Sequence, residues 1–188
     1  MPQIEVNQNT LCNLFHERML IMDSFEKFHP VLTAHYTLDW LTQTQVKRVD
    51  DLFNQPNFTT VSAEKLPNQI FDTVKDINHV MQRVMNATEL TWGITDSNDG
   101  SFKGIITISG FNRDDKTGII DFTFVKNEAR GLSEVIKRVV EFAKDHFDFT
   151  KLEVNLNAPA TVISSILKEN SFETLDRHRF ELDLSTAN

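Results

Sequence analysis

The segment from Trp92 to Glu134 constrains the fold most, because it predicts three antiparallel strands followed directly by a helix. Asp99-Gly100 predicts the first turn, and the stretch from Asp114 to Gly118 predicts the second. The last strand runs through Glu128-Ala129-Arg130-Gly131 into an amphipathic helix from about Leu132 to Phe147. Backbone amides at a helix N-terminus are unpaired and carry partial positive charge. This junction is therefore a candidate anion site that could hold a pyrophosphate.

The remaining hydrophobic patterns predict helices and strands on both sides of this segment. Apolar residues at every third or fourth position predict helices from Pro67 to Met85 and from Ala160 to Glu169. Alternation predicts a strand from Lys151 to Leu156. Further predicted elements are a β-rich stretch from Val31 to Leu41, a helix capped by Thr42 that contains Val46, Val49, Leu52 and Phe53, a loop or short helix between Pro56 and Pro67, and a final strand near Arg179 to Leu184.

Residues 1–30 carry the weakest pattern in the chain. Spacing between Leu11 and Met22 favours a helix, although Met19 to Met22 fits a strand equally well. No repeat or Gly/Ser linker divides the rest, so we expect one domain over residues 31–188, with residues 1–30 as an extension packed on it. Antiparallel hairpins followed by strand–helix–strand predict a mixed α/β fold with helices on a mostly antiparallel sheet.

Composition disfavours several classes of protein. A formal net charge of −8 and a pI near 5.2 disfavour a nucleic-acid surface, which needs clustered Lys and Arg. We see no apolar run long enough to span a bilayer and no signal segment, so we expect no membrane partner. The single cysteine, Cys12, fits a reducing compartment and hence a cytoplasmic location. The six histidines show no metal-ligand spacing.

Four segments together resemble a known family. They are Tyr36-Thr-Leu-Asp-Trp-Leu-Thr-Gln-Thr-Gln-Val-Lys-Arg-Val-Asp-Asp-Leu-Phe53, Trp92-Gly-Ile with Lys103-Gly-Ile-Ile-Thr-Ile-Ser-Gly-Phe111, Ile120-Asp-Phe-Thr-Phe-Val-Lys-Asn-Glu-Ala-Arg-Gly131, and Ile166-Leu-Lys-Glu-Asn-Ser-Phe172. In order and spacing they resemble the strands, CoA loop and C-terminal phrase of the GNAT superfamily of N-acetyltransferases, particularly its RimJ/RimL-type branch. The resemblance extends from about Val31 to Leu184 and implies a GNAT-like sheet flanked by helices.

This resemblance implies an enzyme that uses acetyl-CoA as co-substrate, without a metal. The acetyl group would pass directly to a primary amine on a small molecule or at a protein N-terminus. Relatives of this type commonly pair, so a homodimer is an open prediction. The residues implied for pantetheine are Phe124, Val125 and Lys126, and those implied for the pyrophosphate are Arg130, Gly131, Leu132 and Ser133.

The candidate pyrophosphate loop departs from the family's pattern. Arg130-Gly131 matches the family's Gln-Gly or Arg-Gly pair, but about three residues before Ser133, including a second glycine, are missing. An ungapped alignment would instead put Asn127 at the Gln/Arg position and Arg130 where a glycine belongs. A glycine there lets the backbone approach phosphates without a Cβ in the way. The alternative function is therefore a GNAT-fold protein that serves as a binding or regulatory module.

Candidate catalytic groups lie on the third strand of the opening segment and beyond it. Asp121 alternates with Ile120 and Phe122, and a carboxylate flanked by apolar strand residues would have a raised pKa, as a general base at neutral pH requires. The competing interpretation is a solvent-facing or ion-paired aspartate. The resemblance implies a tyrosine acid near the last strands, but the only tyrosine is in the first strand, which leaves Ser164 and Asn157 as substitutes.

Overall fold

The computed structural model describes Phe25 and residues 27–185, so the pattern between Leu11 and Met22 lies outside the described residues. The strands are β1 (Val31–Leu32), β2 (Tyr36–Asp39), β3 (Asn57–Thr59), β4 (Glu89–Asp96), β5 (Phe102–Ser109), β6 (Thr117–Val125), β7 (Lys151–Asn155), β8 (Glu173–Thr174) and β9 (Arg179–Asp183). The helices are α1 (Val46–Asn54), α2 (Ile70–Met85), α3 (Ala129–His146) and α4 (Thr161–Glu169), with 3-10 turns at Leu41–Gln43 and Ala63–Lys65.

These strands form one mixed sheet in the order β1-β2-β4-β5-β6-β7-β9-β8, and β3 pairs separately with β6. Strands β4, β5 and β6 are the predicted antiparallel meander. Among the described residues, the one parallel pair is β6 with β7, because α3 returns the chain across the sheet between them. The predicted fold class, a mostly antiparallel mixed sheet flanked by helices, is confirmed.

Two helical layers cover the sheet. Trp92, Ile106 and Phe122 face α3 and expose at most 2% of their surface. On the other face, Ile105 packs against a smaller cluster of Leu41, Val49, Ile77 and Val80, which brings α1 and α2 together. Helix α4 packs beside α3. No helix in the described ranges has the length and apolar character needed to cross a bilayer.

Most phenylalanines in the described ranges lie in the core or pack against it. One group of rings lies at the end of the sheet where β5 turns into β6 and consists of Phe25, Phe28, Phe111, Phe142, Phe147 and Phe149. Phe25 exposes 2% of its surface and lies 4.8 Å from Phe111 between ring centroids. Phe25 and Phe28, which precede the predicted boundary at Val31, therefore contribute to the core.

Two predicted boundaries were wrong for local reasons. Thr42 does not cap a helix, because the buried Leu41 starts a 3-10 turn and α1 begins only at Val46. Gly118 lies in strand β6 rather than in the preceding turn. A Cβ at Gly118 would lie 2.7 Å from the Leu152 side chain, so glycine there permits close packing of Leu152 and Phe149.

Two further elements begin where the sequence did not predict them. The stretch between Pro56 and Pro67 contains strand β3 as well as a 3-10 turn, although a loop or short helix was expected. Helix α3 begins at Ala129 rather than near Leu132, which moves Gly131 from the turn into the first helical turn.

Candidate active site

Strands β6 and β7 part from one another within the sheet. They pair in parallel only between Thr117–Ile119 and Lys151–Glu153, although β6 continues to Val125. Beyond Ile119, the edge of β6 that faced β7 no longer pairs with β7. We call the backbone of residues 122–126 on this side the β6 edge, and the space between the diverging strands the gap.

A segment from elsewhere in the chain covers the β6 edge. Strand β3 pairs antiparallel with it, with Asn57 opposite Val125 and Thr59 opposite Thr123. The amide of Lys126 donates to the carbonyl of Pro56 at 3.2 Å, and the amide of Thr60 donates to the carbonyl of Phe122 at 3.0 Å. We call residues 56–60 the covering segment.

Thr60 joins the two strands that border the gap. Its hydroxyl donates to Asp121 Oδ1 at 2.9 Å and accepts from the Phe122 amide at 2.9 Å. Its carbonyl accepts from the side-chain amide of Asn157, which follows β7. Thr60 exposes 4% of its surface. Two of the predicted catalytic residues, Asp121 and Asn157, are therefore brought to one residue that sequence reasoning missed.

Asp121 lines a cavity of about 370 Å³ on the α1–α2 side of the sheet, which we call the Asp121 pocket. Burial raises the pKa of Asp121, and the hydrogen bond from Thr60 opposes part of that rise. Asp76 of α2 lines the same pocket, and burial raises its pKa as well. Arg83 is paired there with Glu89 at 2.6 Å between Nε and Oε2. The pocket thus holds two carboxyl groups that take up protons more readily than an exposed aspartate.

A second cavity, of about 450 Å³, lies between α3 and α4 on the opposite side. Arg130, Ser133 and Lys137 line its α3 wall, and Val162 and Ser165 line its α4 wall. We call it the α3–α4 groove. Arg130 and Lys137 are two cations that could pair with a phosphate, whereas Glu134 and Glu169 line the same groove and balance their charge.

Solved structures of acetyltransferases share this architecture. One is RimL, the ribosomal L7/L12 alpha-N-protein acetyltransferase, in complex with coenzyme A, which matches 84% of this chain and 98% of its own with a TM-score of 0.67 and 10% identity. A ribosomal-protein-S5-alanine acetyltransferase from Vibrio fischeri matches 85% and 98% with a TM-score of 0.67 and 8% identity. The microcin C7 self-immunity acetyltransferase MccE, in complex with acetyl-CoA and AMP, matches 80% and 93% with a TM-score of 0.65 and 14% identity.

The chain has the GNAT acetyltransferase fold. The fold that the sequence resemblance implied is therefore confirmed. No family model matches the chain, and no curated protein matches it either. Identities of 8 to 14% establish the fold, whereas the activity must be argued from the site.

The glycine predicted to face a pyrophosphate packs against the ring of Tyr36. Gly131 is buried in the first turn of α3, and a Cβ there would lie 2.1 Å from the hydroxyl of Tyr36. Tyr36 exposes 7% of its surface, so the glycine makes room for its ring. The next residue, Leu132, is fully buried and its amide donates to the carbonyl of Glu128 at 3.2 Å, so neither its side chain nor its amide is free for a phosphate.

A carboxylate of the chain itself lies at the N-terminus of α3. Glu128 is the residue before the helix, and its side chain accepts from Lys103 and, at 3.2 Å, from the hydroxyl of Tyr36. Burial, followed by the nearby Glu128 charge, raises the pKa of Tyr36 to about 12. The buried Tyr36 and the partly exposed Lys103 and Glu128 thus link β2 and β5 to the start of α3.

The other predicted site residues lie on the β6 edge and on helices α3 and α4. Phe124 and Val125 are buried at the β6 edge, and the exposed Lys126 ends it. Ser133 accepts from the side-chain amide of Asn170 at 3.0 Å. The Ser164 hydroxyl donates to the carbonyl of Ala160 at 2.9 Å, one helical turn back, so it is used within α4. In the described part of the chain, no cluster of three or more His, Cys, Asp or Glu could hold a metal ion.

Proposed function

We propose that this protein transfers an acetyl group from acetyl-CoA to a primary amine. The observation that carries the proposal is the position of Asp121. This carboxyl group, whose pKa is raised by burial, lies beside the gap between two diverging parallel strands and lines a pocket of about 370 Å³. A base placed there can take the proton of an ammonium group.

The two cavities suit the two substrates unequally. The α3–α4 groove offers Arg130, Lys137 and the start of α3 to the phosphates of acetyl-CoA, and Glu134 and Glu169 in the same groove oppose part of that attraction. The β6 edge, proposed to bind pantetheine through Phe124, Val125 and Lys126, is covered by residues 56–60 and does not fit a ligand in this arrangement. The Asp121 pocket has the volume and the carboxylates to take an amine on a small molecule or at a protein N-terminus.

Each proposed residue has a role that follows from its position. Asp121 would accept the proton from the acceptor amine, and Asn157 would hold the wall of the gap that faces it. Ser164 is a weaker candidate for the acid because its hydroxyl already serves the α4 backbone. Relatives among the neighbours act on proteins and on small amines; one is a spermidine N-acetyltransferase chimera.

This function is tested by measuring the turnover of a panel of amines and short peptides through the release of the free CoA thiol. Asp121→Asn is expected to lower kcat at least tenfold with little change in the affinity for acetyl-CoA. Asp76→Asn is the matched control, because Asp76 shares the pocket but belongs to α2 and does not border the gap. We expect it to change KM for the amine more than kcat. Equal kcat for wild type and Asp121→Asn would remove Asp121 from the reaction.

A non-catalytic binding or regulatory role is the second candidate, and the covered β6 edge favours it. Residues 56–60 of the chain itself make hydrogen bonds to the edge that the resemblance assigns to pantetheine. Absence of turnover with every amine, together with absence of CoA binding, would favour this role over acetyl transfer.

A further inference from the structure

The two cavities lie on opposite faces of the sheet. The α3–α4 groove is formed by the helices that cover one face, and the Asp121 pocket opens on the face covered by α1 and α2. Because β6 and β7 stop pairing beyond Ile119, the gap between them is a place where a ligand could cross the sheet from one face to the other. A ligand whose phosphates lie in the groove can present its other end to Asp121 only by extending through such a path.

The covering segment fills this path. Phe58 lies opposite Phe124 in the strand pair, and its side chain belongs to the main core with only 8% of its surface exposed. On one side the segment is bonded to the β6 edge at Pro56 and Thr60. On the other side Asn157 donates to the Thr60 carbonyl, which ties the segment to the end of β7. The covering segment is thus hydrogen-bonded to β6 on one side of the gap and to the end of β7 on the other.

The covering segment has few strand contacts that would have to break for it to leave the β6 edge. Strand β3 has three residues and, in the part of the chain that the structure describes, pairs with β6 alone, so its release would break no other strand pair there. Pro56 precedes it and contributes no amide donor. Residues 61–69 follow it, with a single 3-10 turn between it and α2. A three-residue strand with one strand partner can open locally before the domain unfolds.

We propose that residues 56–60 are an intrasteric strand, which occupies the pantetheine path in the resting protein and must leave the β6 edge before acetyl-CoA can bind through the gap. The inference rests on the proposed function, since it concerns the same co-substrate. It accounts for a protein that keeps the GNAT fold while its own chain satisfies the backbone of the cofactor strand. Release would also free Asp121 from Thr60 when acetyl-CoA enters, so that one movement opens the path and exposes the base.

A reversible cross-link between β3 and β6 tests the inference. The backbone hydrogen bonds fall at Thr60 with Phe122 and at Pro56 with Lys126, so Thr59 and Thr123 form the intervening non-hydrogen-bonded pair. Cα atoms of such pairs are about 4.5 Å apart, within the range of a disulfide. The two hydroxyl oxygens are 2.9 Å apart. We would combine Thr59→Cys and Thr123→Cys with Cys12→Ser, which removes the chain's only native cysteine.

A matched control pair exists in the same sheet. Thr91 and Thr107 face one another across β4 and β5 with hydroxyl oxygens also 2.9 Å apart. These strands belong to the central meander and need not separate for acetyl-CoA to enter. Thr91→Cys with Thr107→Cys, again with Cys12→Ser, therefore introduces the same chemistry without locking the gap.

CoA binding by calorimetry, before and after reduction, gives the result. We expect the oxidised Thr59–Thr123 cross-link to weaken CoA binding at least tenfold, reduction to restore it, and the control cross-link to have no effect. Equal CoA affinity in the oxidised and reduced forms would overturn the inference while leaving the proposed function standing. If the reduced variant, the wild type and Phe58→Ala all fail to bind CoA at millimolar concentration, the proposed function falls and the inference falls with it.

Discussion

Replacing Gly131 by alanine tests the structural role of the glycine that resembles part of a phosphate loop. The added Cβ would lie 2.1 Å from the hydroxyl oxygen of Tyr36 and 2.7 Å from its Cζ atom. Both distances are far inside van der Waals contact, so the ring or the start of α3 must move. The Tyr36 hydroxyl would then lose its 3.2 Å hydrogen bond to the Glu128 carboxylate.

The expected loss of stability follows from three contributions. Overpacking a buried site costs about 1–3 kcal/mol. Losing a hydrogen bond to a charged group costs about 1.5–3 kcal/mol, reduced here because Lys103 still pairs with Glu128. Replacing glycine by alanine within a helix returns about 1 kcal/mol. The net cost is about 2–4 kcal/mol, which for a chain of this length lowers Tm by roughly 5–15 °C.

Thermal and urea unfolding without any ligand measure this cost. Combining Gly131→Ala with Tyr36→Leu removes the ring that the new Cβ meets, so the double variant should be less destabilised than the sum of the two single variants, by more than about 1 kcal/mol. A Gly131→Ala protein as stable as wild type would refute the packing role. It would return Gly131 to the role of a glycine that lets phosphate approach the backbone.

Two further predictions concern the gap. Because burial raises the pKa of Asp121 above its ordinary value of 3.8, the folded protein holds this proton more tightly than the unfolded chain and loses stability as pH rises through the raised pKa. The new side chain in the Asp121→Asn variant stays neutral, so the Tm of the variant should match that of the wild type near pH 4 and exceed it at pH 7. A difference in Tm between the two proteins that does not change with pH would contradict this. The exposed Asp145→Asn is the control. Phe58→Ala should cost about 3 kcal/mol in urea unfolding, at the lower end for a buried phenylalanine because a three-residue strand with one strand partner can relax. Phe58→Ala should also strengthen CoA binding. Phe149 has the same 8% exposure in the wild type, so Phe149→Ala should destabilise the protein without strengthening CoA binding. Equal CoA affinity in both variants would count against the covering role of Phe58.

Much of the architecture could be predicted because it depends on local patterns. Apolar and polar residues alternate along β4 to β6, and turn residues separate these strands. Helices α2 and α3 carry apolar stripes over several helical turns. Each of these elements can therefore be predicted from a short stretch of sequence. The order of these elements then favoured one fold. Strand β3 was not predicted because its three residues, Asn57-Phe58-Thr59, are too few to establish an alternation.

The site was predictable only in part, because its contacts join distant parts of the chain. The position of Asp121 between Ile120 and Phe122 was enough to predict a carboxylate with a raised pKa. No local pattern could show that Thr60 would reach both this carboxylate and Asn157, residues 61 and 97 positions further along. Gly131 was singled out for its place after a strand, whereas the tyrosine that requires a glycine there lies in the first strands of the sheet.

A calorimetric titration of acetyl-CoA into the wild-type protein, with thermal unfolding alongside, tests the central claim most directly. The account predicts saturable binding of one acetyl-CoA per chain and, at a hundred times Kd, a stabilisation of about 2.7 kcal/mol. Phe58→Ala should bind more tightly than wild type in the same titration. Absence of heat and of any Tm shift at millimolar acetyl-CoA, in both proteins, would contradict acetyl transfer by this fold.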